Sequence, residues 1–527
     1  MGLADVNLNE RYDLVLALTQ SAVNGTLALY LHGQQKTTGL FYNVDESGQL
    51  HKAPDANSAN FVFTGTLDYH LDSNGNPVDI VQLNSPTGPR NVIYNLTFSS
   101  ASFEAKKDGV SIQQGPNDSA WVITFDVGLR WGASTPNLPA AVRAGIDATM
   151  SQAEPSLSAQ FLYLDLNNAR LDALKGITIP GNHDFAVSVL KDMMSAYLAE
   201  QQANGGVVFE YSPVAAASAQ VPPTYPVTAL DFVVSPYRDR GGATGQPELD
   251  TLCYLMMVNN RPLPTSRPSP FSFNFVDDST EQGVIAIRRE LHQNILLARF
   301  QPILKIISPV LNTIPNENNP NEFQILPGLD GNFSFSPIGG VLAVYLYRAP
   351  QANNSAPGFW KTVTAELDYS VELAITVSGA EVFLSATGTF TAREVINLEI
   401  FHTLPKTQYI WNVDLKLEMN SSNLGEVGYG IVDASFNKAP VVAPSDAAAF
   451  QVFVQTWPMF STDPGGIRAA VQEYVQTRIA VPTPAGGNLA GSLVFPGGAS
   501  FLFKNPEISP SGDLAANVTY KAPSGTH

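Results

Sequence analysis

From Val363 to Val377 the chain alternates without a break. Val363, Ala365, Leu367, Tyr369, Val371, Leu373, Ile375 and Val377 are apolar, with mostly Thr, Glu, Asp and Ser between them. A period of two predicts a strand with one apolar and one wet face. At about 3.3 Å per residue it would run to roughly 50 Å, whereas an ordinary strand stops near about five or six residues. The same pattern returns in Trp121, Ile123, Phe125, Val127, Leu129 and Trp131, and in Tyr409, Trp411, Val413, Leu415, Leu417 and Met419. Sheets of that length must lay their apolar faces on something equally long.

Helical periods supply it. Thr19 is an N-cap candidate after the run Leu14 to Leu18, opening a helix with Val23, Leu27, Tyr30 and Leu31 on one side and Gly33 at its end. A second helix is predicted from about Pro139 to Ala153. The most apolar runs from Asp184 to Asn204, with Val187, Leu190, Met193, Met194, Tyr197 and Leu198 on one face and Gly205-Gly206 as its stop. Val284 to Leu311 reads as helix interrupted by Pro302, and Asp463-Pro464 opens another with a cap and a first-position proline. Further strands are predicted at Phe61 to Tyr69, Val78 to Leu83, Val92 to Phe98, Leu162 to Leu166, Leu252 to Val258 and Phe271 to Phe275, with three short ones at the end of the chain. Pro213 to Pro226, Arg238 to Pro247 and Pro315 to Asn321 read as loops. Strands followed by long one-sided helices occur twice, which places a boundary near Asp278.

At 527 residues the chain is too long for one core. A formal net charge of −18 argues against nucleic acid and against electrostatic docking on anionic lipid, because both need basic patches. Only 14% of residues are charged and 44% are hydrophobic, a globular profile. No stretch reaches the roughly 18 apolar residues of a membrane helix. Met1 to Asp13 has no basic flank and apolar core, so the expected location is cytoplasmic, or exported without a classical signal peptide. Cys253 lies in the apolar run Leu252 to Val258 and reads as an inert buried thiol. Asn24, Asn95, Asn117, Asn332, Asn353, Asn420 and Asn517 start N-x-Ser/Thr triplets, expected from a chain rich in those residues.

Motifs for catalysis do not accumulate. Asp72 to Asn76 starts like a calcium loop, but Leu83 stands where a bidentate Glu is required, so a turn between strands is expected. Asn182-His183-Asp184 reads as a helix start, and His292 and His402 stand alone, so neither a metal nor a cofactor is expected. There is no G-x-S-x-G elbow, phosphate loop or H-E-x-x-H pair, and Arg240 to Gly245 lacks the lysine of a phosphate cradle. Asp277-Asp278 and Glu366/Asp368 have the residue types for glycoside hydrolysis, a pairing that chance supplies in a chain with 47 acids. Met193-Met194 and Met256-Met257 are the best chemical hint, because flexible thioethers suit adaptable apolar sites as well as plain core.

Tyr12-Asp13-Leu-Val-Leu-Ala-Leu, Gly283-Val-Ile-Ala-Ile-Arg-Arg-Glu-Leu and the closing Phe501-Leu-Phe-Lys-Asn-Pro-Glu-Ile-Ser with Gly512-Asp-Leu together resemble the forty-seven-kilodalton accessory proteins encoded beside clostridial toxins, members of the tubular lipid-binding (TULIP) superfamily. The resemblance implies an α+β fold of two TULIP-like modules, each a long curved antiparallel sheet wrapped around a long helix, with an apolar groove for lipid tails and no catalytic residues. With the boundary above, the modules are residues 1–278 and 279–527, with terminal strands free to cross over. The leading expectation is a non-enzymatic protein that binds a lipid or other elongated hydrophobic molecule, with partners as in a toxin-like complex. Its lining would be Leu190, Met193, Met194, Tyr197, Leu198, Met256, Leu291 and Ile295, facing Leu367 and Val371. A protein-interaction scaffold without a cavity and a carbohydrate-active enzyme are the alternatives.

Overall fold

The computed structural model describes residues 3, 6–8, 11–25, 36–67, 79–115, 120–132, 161–171, 177–178, 184–203, 208–211, 225, 227–239, 241–266, 276, 282–293, 310–316, 319–328, 336–338, 341–348, 352–357, 362–397, 401–403, 407–421, 426–442, 493–494 and 501–520. Antiparallel sheet dominates them. Where alternation predicts a strand from Val363 to Val377, Thr362–Ser378 is one, and it pairs with Glu381–Asn397 over 17 residues without a slip. Gly379, at φ +59, begins the two-residue turn between them, as the twist of a tight hairpin demands. Thr407–Ser421 and Glu426–Val442 extend this C-terminal sheet, whose order continues outward to Val341–Arg348 and Ser336–Ile338 on one side and Leu493–Val494 on the other. Leu373, Ile375, Val382, Leu384, Leu415, Leu417 and Met419 are buried on a common face.

The N-terminal sheet runs in the order Val208–Tyr211, Phe161–Leu171, Trp121–Gly132, Asn91–Ala105, Phe61–Leu67, Lys36–Val44, Leu50–Lys52. Its inner face carries Leu40, Tyr42, Phe63, Trp121, Ile123, Phe125 and Val127. Asn91–Ala105 is longer than the predicted Val92 to Phe98 because the register slips opposite Thr66 and Leu67. Before the slip Val92, Tyr94, Leu96 and Phe98 face inward; after it Ala101, Phe103 and Ala105 do. The extra residue breaks the period of two, so alternation alone ended the strand early. Of the predicted Val78 to Leu83, residues 79–83 are described, and among them Val81–Gln82 is strand.

A third sheet joins distant parts of the chain in the order Val227–Ser235, Thr251–Val258, Leu14–Thr19, Gly283–Ile287, Leu514–Tyr520, Phe501–Ile508. Gly283–Ile287 is therefore a strand and not the opening of a helix; helical residues begin at 289. Every residue of it is buried, so Val-Ile-Ala-Ile is apolar at each position and carries neither period. Gly283 lies so close to Leu14–Thr19 that an added Cβ would meet the carbonyl oxygen of Ala17. Both faces of this central sheet are covered. Leu14, Leu16, Leu18, Leu252, Tyr254, Met256, Ile285 and Ile287 enter the large core, while Val15, Ala17, Cys253, Leu255, Met257, Val284 and Ala286 enter a second core closed by Leu3, Val6, Leu8 and Tyr12.

The long helix is described over Asp184–Ala203, with the expected start at Asp184. It packs on Phe161–Leu171 and touches Lys36–Val44. Thr19 caps the first helix as expected, its Oγ1 accepting the N–H of Ala22 at 3.2 Å, and that helix is described to residue 25. Pro315 to Asn321, expected as a surface loop, lies at the turn of the hairpin Val310–Asn316 with Asn319–Gly328, so strand pairing runs into it from both sides. Among the described residues after 442, three strands are present, at Leu493–Val494, Phe501–Ile508 and Leu514–Tyr520. The predicted helices at 139–153 and after Asp463, the strand at 271–275 and the turn at 72–76 lie outside the described residues.

Candidate apolar binding site

The helix, the N-terminal sheet, the central sheet and the C-terminal sheet contribute to one contiguous apolar core. Leu190, Met193, Met194 and Met256 are each 0% exposed, Leu198 2% and Tyr197 8%, and all six belong to that core. Helical spacing brings the five helix residues to one face. Met256 arrives from the central sheet, where it pairs with Leu14 and Leu230. Leu291 is half-buried against the same core. Leu367 and Val371 sit in Thr362–Ser378 with their side chains outside the described set, as is Ile295.

Sequence patterning passed over much of the aromatic lining. Phe63 meets Phe98 edge-on, with ring centroids 5.1 Å apart and planes at 80°, and lies 6.3 Å from Trp121. Phe98 leans over Gly65, where a Cβ would come within 2.5 Å of its Cδ1. Phe232 and Tyr254 of the central sheet are fully buried. At the start of the helix Phe185 is 47% exposed, 6.4 Å from Phe61. One polar atom stands out on the inner face: Thr38 Oγ1 is buried with no hydrogen-bond partner.

Charge is kept to the margins of the central sheet. Asp13, just before Leu14–Thr19, accepts the Val258 N–H at 3.0 Å and Arg261 Nη1 at 2.7 Å, and forms an ion pair with Arg288, whose Nε lies 3.1 Å away. Asp513 accepts the N–H groups of Leu8 and Arg289, each at 2.7 Å; burial pushes its carboxyl above the usual range, the two N–H bonds pull the other way, and Glu290 adds to the rise. Asp250 accepts the Tyr237 N–H at 2.6 Å and is raised to about 6, by burial first and by Glu248 second. Cys253 is fully buried, and burial pushes its thiol up to about 12, so no reactive thiolate forms there. Arg90 grips both oxygens of Asp231 at 2.7 Å and lies 4.9 Å above the Phe232 ring, tying the N-terminal sheet to the central one.

Among the described residues no group of three or more His, Cys, Asp or Glu side chains is placed to hold a metal, and no helix is long and apolar enough to cross a membrane. His292, in the helical turn that begins at residue 289, is buried. The side chains of Glu366 and Asp368, with Asp277, Asp278 and His183, lie outside the described set. Two of the N-x-Ser/Thr asparagines do structural work. Asn24 donates to Val81 O and accepts the Val81 N–H, both at 2.8 Å, and Asn95 donates to Asp79 O at 2.6 Å and accepts the Thr124 hydroxyl at 2.8 Å.

No family model and no curated protein sequence matches the chain. Among solved structures it is similar to P47 of Clostridium botulinum E1, at 11% identity and TM-score 0.42 over 97% of this chain and 99% of that chain. P47 from Clostridium botulinum A2 is 10% identical with TM-score 0.44, covering 96% of both chains. A lipopolysaccharide binding protein is 11% identical with TM-score 0.32, covering 97% of this chain and 99% of that chain.

Proposed function

We propose that the chain is a non-catalytic binding protein for a lipid or other elongated apolar molecule, which it takes up between the long helix and the sheets. The observation that carries this reading is the continuity of one apolar body from Leu190, Met193 and Met194 on the helix to Met256 in the central sheet and Leu373 and Ile375 in the C-terminal sheet. The architecture proposed with it is two modules, residues 1–278 and 279–527, each a curved sheet around a helix, sharing the central sheet. Because the methionines are fully covered, cargo would replace helix–sheet contacts instead of entering a standing room, and flexible thioethers accommodate such exchange. Each methylene withdrawn from water contributes about 0.8 kcal/mol, so a long acyl chain supplies roughly ten before the costs of association. Native mass spectrometry of gently purified protein, followed by organic extraction, tests the reading. A co-purifying lipid supports it; a clean apo mass together with no uptake of a fluorescent fatty acid sinks it.

The complete burial of Leu190, Met193, Met194 and Met256 also favours a second reading, in which the core is simply filled and the sheets are a rigid body presenting loops to protein partners, as in a toxin-like assembly. Gel filtration with candidate partners addresses it. Stable co-elution without lipid would select this reading over the first.

A further inference from the structure

We infer that Thr38 is the polar anchor of the binding site and that the cargo is a single-chain amphiphile with a hydrogen-bonding head, such as a long-chain fatty acid. The inference rests on the apolar-binding reading above and narrows it. Thr38 belongs to Lys36–Val44, whose pairing with Phe61–Leu67 is regular, so Thr38 shares a face with Leu40 and Tyr42. Both of those neighbours belong to the large core, and the long helix packs against the same strand. The Thr38 side chain thus points into the body that contains Leu190 and Met193. It is 9% exposed, and its hydroxyl has no hydrogen-bond partner.

An unmet hydroxyl in an apolar interior is destabilising, and valine fills the same volume without that cost. Across the sheet the neighbours of Thr38 are small: it pairs with Gly65, and Gly65 pairs with Ala101. The ring of Phe98 lies over Gly65, an aromatic edge that side-chain rotation can move aside. A head group placed there meets the Thr38 hydroxyl, while its chain runs on among Leu, Met and Phe side chains. Thr97 is a useful contrast. Its hydroxyl is also buried and unpartnered, but it shares the outer face of its strand with Asn95 and lies outside the apolar core.

Fluorescence titration with cis-parinaric acid, a polyene fatty acid, and with diphenylhexatriene, a headless hydrocarbon, separates the terms. Thr38→Val is expected to weaken the acid roughly tenfold and leave the hydrocarbon unchanged, with Thr38→Ser restoring the acid. Should Thr38→Val fail to fold by circular dichroism, Thr38→Ala carries the same expectation. Equal affinity of wild type and variant for the acid overturns the anchor and leaves the binding function standing. Equal weakening of both probes is a packing effect and also overturns it. Uptake of neither probe by the wild type removes the function and the anchor together.

Discussion

Asp513 Oδ2 accepts the backbone N–H of Leu8 at 2.7 Å, joining residues 505 positions apart. Its other oxygen takes the N–H of Arg289, also at 2.7 Å, and Ser511 Oγ donates to Val6 O at 2.8 Å. One carboxylate thus fastens the segment that closes the second core to the middle and the end of the chain. Asp513→Ala leaves one buried and one partly buried N–H unmet and is expected to cost about 2–4 kcal/mol in urea unfolding. Amides of residues 6–8 should exchange hydrogen faster in the variant even where the rest stays protected.

Asp13 holds the opposite kind of junction, one acid facing two arginines. Asp13→Ala takes from Arg288, 18% exposed, the more buried of its two carboxylates, leaving Glu290 at 3.3 Å, and frees the Val258 N–H; the expected loss is about 2–4 kcal/mol. Arg261→Ala leaves Asp13, 2% exposed, with Arg288 and the Val258 N–H and should cost less, about 1–2 kcal/mol. Urea midpoints of the two variants check the ranking, and an equal loss in both contradicts it.

Asp250 gives stability a pH dependence of defined sign. Its folded value of about 6 lies above the ordinary 3.8, so between those values the native state holds the proton that the unfolded chain has released. Stability therefore falls as pH rises through that window, and the cost persists above it. Asp250→Asn keeps an oxygen for the Tyr237 N–H without the charge. It should match the wild type near pH 4 and exceed it by about 2 kcal/mol at pH 7.5. Denaturation at both pH values measures the difference; a gap that widens on acidification would reverse the assignment.

Cys253 reports on the central sheet. Fully buried, with its thiol pushed up to about 12, it should resist a disulfide reagent at pH 8 in the native protein. Labelling should rise with urea in step with loss of the sheet. A rapid native reaction would show that Thr251–Val258 opens independently of the remainder.

The long strands were legible because each side chain has its own face. Leu373 and Ile375 turn inward while Glu372 is exposed, as the alternation from Val363 requires. Leu190, Met193 and Met194 were legible for the same reason at the helical period. Gly283–Ile287 was not, since a strand covered on both faces loses its period and resembles the core of a helix. Thr38 was invisible as well. A threonine in a Lys-Thr-Thr-Gly stretch looks solvent-facing until its strand is seen to pair with Phe61–Leu67 and to touch the helix.

Local periodicity was enough to set most elements and the apolar face of each, the strand Gly283–Ile287 excepted. Backbone geometry repeats every 2 or 3.6 residues, and neighbouring side chains record that repeat. Only the tertiary structure decided that Leu14–Thr19 lies between Thr251–Val258 and Gly283–Ile287, that Leu514–Tyr520 follows, and that Met256 shares a core with Met193. Those contacts depend on pairings hundreds of residues apart, for which a local pattern carries no address.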